Sequence, residues 1–350
     1  MDLDHMEALK RIDSSDMLSL MDRTPERLRT PTDAPQTCSE HLEQPDNVVF
    51  MGMGGSAIVG DILVDYVRDI VGTPVVAIRS LRLPAYVNER TLLVAISYSG
   101  ETQETLFVLD QAIDRGAKIV TISSDGKLLS RSKQHGLPYL RVQPGFLPRV
   151  ALPELLAASI YVLSSATIIK NPSEILSNVR KWTHDQIENV KPEVPTDKNG
   201  AKRMAQTLAD KLPLIIGGEE EGSVLRRFKN QLNENSKMPA FYYTLPEAFH
   251  DDIEGLNALK SLANVQPIFL RNENWLKEQE RTFERLNVLL MELGFPRPTY
   301  FVGLGEDRLS QLLTAVMFGD YVSVYLAALR GVDPSHMKLI PEFRKIMQAK

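Results

Sequence analysis

Short apolar runs recur along the first half of this chain, with helix-length segments between them: Val48–Met51, Val75–Ile78, Leu92–Ile96 and Ile119–Ile122. Each run is strand-length, and continuous apolar character without alternation marks a strand covered on both faces. Tyr139–Val142 reads as a shorter fifth strand. The intervening segments leave room for right-handed crossover helices. The pattern predicts an α/β fold, a doubly wound parallel sheet with helices on both faces. In the flavodoxin-like order 2-1-3-4-5 the first and third strands are neighbours at the switch point. The loops leaving their carboxyl ends then open into one crevice.

Those two loops share a chemistry. After the first strand comes Gly52-Met53-Gly54-Gly55-Ser56, ahead of a helix beginning near Ala57. After the third comes Ser97-Tyr98-Ser99-Gly100-Glu101-Thr102-Gln103-Glu104-Thr105, leading into a helix with Leu106, Leu109 and Ile113 on one face. Hydroxyls clustered around a glycine, at the positive end of a helix and without Lys or Arg, suit a phosphate monoester. Helix capping by Ser, Thr and Glu explains any one of these residues, but not three hydroxyls together. The first loop is not a dinucleotide fingerprint, since it lacks the third spaced glycine and an acidic residue closing the second strand.

A second α/β series follows. Leu212–Gly218, Pro267–Leu270 and Tyr300–Gly303 read as strands, with helices around Val224–Leu232, Trp275–Leu293 and Leu309–Leu329. Residues 1–46 form an N-terminal helical appendage whose helix spans Met6–Met21. Residues 47–152 form the first subdomain, 153–199 the linking helices and 200–350 the second subdomain. Leu214-Ile215-Ile216-Gly217-Gly218 echoes the first strand and its glycine turn, but Glu219, Glu220 and Glu221 fill the turn and would repel a phosphate. The second half repeats the fold without repeating that site, which leaves it free for other chemistry.

Composition narrows what carries the phosphate. A net charge of −5 over 350 residues gives no electrostatic footprint for nucleic acid, so the phosphate belongs to a small molecule. A single cysteine, Cys38, excludes an internal disulfide and points to a cytoplasmic setting. The N-terminus lacks the apolar core of a secretory signal, and no long uninterrupted apolar run suggests a membrane span.

Chemistry-bearing residues concentrate in Asn230–Gly255: Asn233-Glu234-Asn235-Ser236-Lys237, then Pro246-Glu247, then His250-Asp251-Asp252. Glu234 and His250 are joined by a loop with two prolines and so are able to face one cavity from separate elements. A plainer reading makes Glu234 a helix end and His250 a loop cap. His250 has no second histidine or cysteine at ligand spacing, which disfavours a metal, although Asp251 and Asp252 are suited to a hard cation. Arg149 follows Pro144-Gly145-Phe146-Leu147-Pro148, a rigid loop that is able to aim a guanidinium into a cleft; taken alone it reads as a surface arginine.

With these residues in hand, the chain resembles the sugar isomerase (SIS) domain superfamily and, more closely, the bifunctional phosphoglucose/phosphomannose isomerases. The likeness rests on Met53–Ser56, Ser97–Thr102, Pro148-Arg149, Asn233–Lys237 and Pro246-Glu247 with His250, and covers the chain from about Asn47 onward. It implies two SIS subdomains and a homodimer. It places the substrate phosphate among Gly54, Gly55, Ser56, Ser97, Ser99 and Thr102, and makes Arg149, Glu234 and His250 active-site residues, with the histidine supplied by the partner subunit. It also implies a basic residue near the C-terminus, Lys345 or Arg344, in a helix that contains Pro341. Asp251 stands where the family often has Asn.

The chemistry expected from the resemblance is the interconversion of an aldose phosphate with fructose 6-phosphate through a cis-enediol, with no metal or organic cofactor. Glu234 is the expected base, Arg149 the group that stabilises the enediolate, and His250 with Lys345 the pair that opens the sugar ring. Two other readings stay open: a non-catalytic SIS sugar-phosphate sensor, and another SIS sugar-phosphate isomerase. The sensor needs the serine loops but not Arg149, Glu234 or His250.

Overall fold

The computed structural model describes residues 1–31, 42–272 and 277–348. Cys38, His41 and Trp275 lie outside them. By contact the chain divides into two compact units. One comprises Arg23–His184 with Asp307–Ser310, the other Met1–Asp22, Asp185–Glu306 and Gln311–Lys350.

The first unit is built on a parallel sheet of five strands, β1 (Asn47–Met51), β2 (Val75–Ile78), β3 (Thr91–Ile96), β4 (Lys118–Ser123) and β5 (Tyr139–Arg141). Their order is β2-β1-β3-β4-β5, the 2-1-3-4-5 order expected. All six residues of β3, the central strand, are buried, which explains its uninterrupted apolar sequence. One face of the sheet carries Val49, Met51, Leu93, Ala95 and Ile119, packed with Leu106 and Leu109 of α5 (Gln103–Asp114). On the other face Phe50 packs against Gly60 of α4 (Gly55–Val67), which in turn meets α7 (Leu152–Ser165). Helix α6 (Gly126–Gln134) crosses from β4 to β5.

The second unit has four parallel strands in the order β7-β6-β8-β9: β6 (Leu212–Gly218), β7 (Phe241–Leu245), β8 (Val265–Arg271) and β9 (Thr299–Val302). Strand β7 corrects the sequence reading. Glu234 and His250 are joined not by a loop but by an edge strand paired with β6 from Leu214↔Phe241 to Gly218↔Leu245. Leu214, Ile216 and Phe269 pack with Phe283, Leu286 and Leu290 of α12 (Lys277–Glu292). Elsewhere Phe228 of α10 (Gly222–Glu234) meets Phe301 edge-on, and Phe301 stacks on Phe318 of α13 (Arg308–Leu329).

One helix expected to be continuous is broken. The Met6–Met21 helix is α1 (Met6–Ile12) and α2 (Met17–Asp22). Between them the Asp13 carboxylate accepts the N–H groups of Met17 and Leu18, at 2.9 and 2.8 Å, and caps the second helix. The helical stretch Leu152–Val190 is α7 and α8 (Pro172–Val190), parted at Thr167 and Asn171, both with positive φ. Helix α13 is long and apolar enough to cross a membrane, but 89% of its apolar window is buried inside the structure, as in a core helix.

A buried ion pair fixes α10 to α13. The Arg227 guanidinium donates to both Asp320 oxygens, Nε at 2.9 Å and Nη2 at 2.7 Å. Burial pushes the Asp320 carboxyl up, and the guanidinium opposes the shift. Removing one partner leaves the other charge stranded. Arg227→Met is therefore expected to cost roughly 3–5 kcal/mol, on the order of 10 °C in Tm, with Arg227→Met/Asp320→Leu restoring most of it. Thermal melts of the three proteins check this.

Candidate active site

In the first unit the neighbouring strands β1 and β3 are in register, Met51 opposite Ala95, so the loops that follow leave the sheet side by side. The loop after β1 turns at Gly54 into α4, and no side chain caps that helix. Ser56, 6% exposed, lies in its first turn, and its hydroxyl accepts the Tyr98 N–H at 3.2 Å. The two loops are thus joined by a hydrogen bond.

In the loop after β3 the hydroxyls of Ser97 and Thr102 are 2.8 Å apart. Thr102 holds the N-cap position of α5, yet its side chain caps nothing. Ordinary capping does not account for these hydroxyls: those of Ser97 and Thr102 pair with one another, while two helix N-termini stand without side-chain caps beside them. Ser99 is exposed, its hydroxyl accepting the Glu101 N–H at 3.3 Å. Glu101, in the same loop, is turned onto Lys127. Its carboxylate accepts the Lys127 N–H and lies 3.0 Å from Nζ, and that pairing holds it below the usual carboxylate range.

Arg149 joins this group. It sits in a 3-10 turn, Pro148–Val150, that leads into α7. The start of α4 lies against this turn: a Cβ at Gly55 would be 3.1 Å from the Pro148 carbonyl oxygen and 3.4 Å from Arg149 Cα. Arg149 is only 3% exposed, so the surface-arginine reading is corrected as well. The fold sequesters a guanidinium, which is costly unless the charge has a task or partners.

The remaining residues belong to the second unit. Glu234 is half-buried and is the last residue of α10. The residues after it lock that helix end. Asn235 donates Nδ2 to Ser323 Oγ at 2.9 Å, and Ser236 donates Oγ to the Leu232 carbonyl at 2.8 Å. Lys237 donates Nζ to the carbonyls of Glu234 (2.6 Å) and Asp333 (3.1 Å), a cation placed where a helix C-terminus favours one. Arg330 Nε donates to the Ser236 carbonyl at 3.0 Å. His250 is exposed and closes the turn Glu247–Phe249, its N–H donating to the Glu247 carbonyl at 2.8 Å. Its surroundings are acidic: burial first, then Asp251 and Glu247, push the Asp252 carboxyl up. Arg344 and Lys345 are both exposed on α14 (Leu339–Gln348). Pro341 lies in the first turn of that helix, where its missing N–H forfeits no helical bond.

The structure therefore gathers Gly54, Gly55, Ser56, Ser97, Ser99, Thr102 and Arg149 in one unit, and Glu234, His250 and Lys345 in the other. In the second unit the turn after β6, equivalent to the loop after β1, is filled by the protein's own carboxylates. Glu221 stands at the N-cap of α10 and accepts from Asn272 Nδ2 at 2.7 Å, and Glu220 accepts from Gln279 Nε2 at 3.2 Å. Among the described residues no group of three or more His, Cys, Asp or Glu side chains is arranged to hold a metal ion. Sequence reasoning passed over Tyr98, buried between the two serines, and Ser124, whose N–H and hydroxyl both donate to the Tyr98 carbonyl. The available signal was a tyrosine inside a serine cluster.

Two family models match the chain. Residues 41–166 match the SIS domain, and residues 197–347 match the bacterial phospho-glucose isomerase C-terminal SIS domain. The chain is 34% identical over 301 residues to a bifunctional phosphoglucose/phosphomannose isomerase of Caldicellulosiruptor bescii, covering 85% of this chain and 88% of that one. It is 27% identical to a D-glucosamine-6-phosphate 4-epimerase of Sulfolobus acidocaldarius, over 87% of this chain and 90% of that one. In fold it is similar to a glucose-6-phosphate isomerase like protein from Thermus thermophilus, with a TM-score of 0.65 at 18% identity over 99% of both chains.

Proposed function

Because the chain belongs to the bifunctional phosphoglucose/phosphomannose isomerase family, we propose that it interconverts glucose 6-phosphate and mannose 6-phosphate with fructose 6-phosphate through a cis-enediol. The observation that carries this reading is the hydroxyl cluster of Ser56, Ser97 and Thr102 at two helix N-termini without side-chain caps, beside the buried Arg149. A phosphate monoester fits the cluster, with Ser99, Gly54 and Gly55 completing the cradle. Holding the inert end of the sugar turns remote binding energy into correct placement of the two reacting carbons.

Glu234 is the proposed base. A single carboxylate on one face of the substrate removes the proton from one carbon and returns it to the next. Arg149 stabilises the charge that grows on the enediolate oxygens, more strongly for being buried. His250 and Lys345 exchange protons at the ring oxygen and the anomeric hydroxyl to open the ring. The exposure of His250 suits a homodimer in which this histidine serves the partner subunit's site. One cysteine in 350 residues supports a cytoplasmic setting. No step calls for a metal or an organic cofactor.

A coupled assay of fructose 6-phosphate formation from each aldose phosphate, with chelator present, tests the proposal. Turnover of both, unchanged by chelation, is expected. Loss on chelation contradicts the metal-free chemistry, and silence with both sugars favours the sensor. Epimerisation of glucosamine 6-phosphate alone would favour the activity named for the Sulfolobus relative.

A further inference from the structure

The loop that carries Arg149 is tied down by two side chains from distant parts of the first unit. Tyr98, between the serines of the phosphate loop, reaches across with its hydroxyl, donating to the Gln143 carbonyl at 2.9 Å and accepting the Phe146 N–H at 2.8 Å. Burial pushes the Tyr98 phenol above its usual range, so it stays a protonated donor. The backbone of Tyr98 is held as firmly, its N–H on Ser56 Oγ and its carbonyl under Ser124. Arg27, from the helix α3 (Thr24–Arg27), closes the other end of the loop. Its guanidinium lies over the Phe146 ring, 4.0 Å from the centroid. Nη2 donates to the Val150 carbonyl at 2.6 Å and to Glu154 Oε2 at 2.7 Å, while Nε donates to the other Glu154 oxygen. Arg27 and Glu154 are 9% and 7% exposed. Arg149 thus lies between two anchored points, Phe146 and Val150.

We propose that Tyr98 and Arg27 are positioning residues for Arg149, and that Tyr98 couples the grip on the substrate's phosphate to the group that stabilises the enediolate. The proposal rests on the reading of Arg149 as catalytic. Tyr98 and Arg27 hold the backbone of the Arg149 loop and its Phe146 ring, and so fix the point from which the guanidinium extends. A displacement of about 1 Å at such a group costs on the order of 100-fold in rate. The assignment gives the N-terminal segment a part in catalysis, through Arg27.

A double-mutant cycle tests it. Tyr98→Phe removes one oxygen. Arg27→Met/Glu154→Leu removes the clamp without stranding a carboxylate, and melting curves show that both variants fold. Each is expected to lower kcat for fructose 6-phosphate roughly 10-fold, with KM changed less than about 2-fold. In an Arg149→Met background, itself slower by about 100- to 1000-fold, the same substitutions are expected to cost less than about 2-fold more. An equal loss in both backgrounds, or no loss in the parent, overturns the proposal, because the residues then act independently of Arg149 or not at all. Parental kcat in Arg149→Met alone instead overturns the catalytic reading of Arg149, and the two failures are distinct.

Discussion

Glu234→Gln is expected to lower kcat for aldose–ketose interconversion by about 1,000- to 10,000-fold while leaving the dissociation constant for fructose 6-phosphate within about 3-fold of the parent. Gln keeps the shape of Glu and cannot take up the proton, so the transfer is lost and the fit is kept. The side chain sits on the last residue of a helix whose end is fastened by Lys237, Asn235 and Arg330. The substitution therefore leaves its supports in place. The residues proposed to hold the phosphate belong to the first unit, and this substitution touches none of them. Solvent deuterium provides a second readout. The parent enzyme is expected to wash deuterium into the carbon that loses its proton, and the Gln variant is not. Parental turnover or parental exchange in Glu234→Gln removes this residue from the role of base.

Much of this was readable before the structure, and the parts that were not share a cause. The first sheet announces itself because β1, β3 and β4 are covered on both faces and so read as unbroken apolar runs. Strand β7, Phe241–Leu245, escaped because it is an edge strand, largely half-buried and flanked by Pro239 and Pro246, which gives it neither a continuous run nor clear alternation. The break after α1 escaped because the helical periodicity runs on across Asp13, and only the capture of two amides by its carboxylate shows where the helix stops. The residues proposed to hold the phosphate lie close together in the sequence, as hydroxyls and glycines on the positions after a strand. The burial of Arg149 was not legible there. The start of α4 lies against the backbone of its turn, and the clamp on its loop pairs Arg27 with Glu154, 127 positions away. Local pattern cannot reveal a pairing at that separation.

The second large effect is expected at Gly100, in the middle of the hydroxyl cluster. Here φ is +70°, and a Cβ would lie 1.8 Å from the Asp125 carbonyl oxygen and 2.8 Å from its carbon. The obstacle is backbone on both sides, since Leu128 N–H donates to the Gly100 carbonyl at 2.9 Å, so no side chain is able to swing aside. Gly100→Ala must therefore push apart the loops after β3 and β4, and with them the Ser97–Thr102 pair and the Tyr98–Ser56 bond. Sugar-phosphate affinity is expected to fall by roughly 100-fold or more, with a lower Tm. Gly116 separates crowding from backbone strain: its φ is +67°, but nothing stands within 4 Å of a Cβ there. Gly116→Ala is expected to lose about 1 kcal/mol of stability and to keep the parental affinity for fructose 6-phosphate, measured by calorimetry. Equal weakening in both variants would trace the effect to general destabilisation. Undiminished binding in Gly100→Ala would mean that the phosphate is not held by the loop from Ser97 to Thr102, and the hydroxyls there would need another guest.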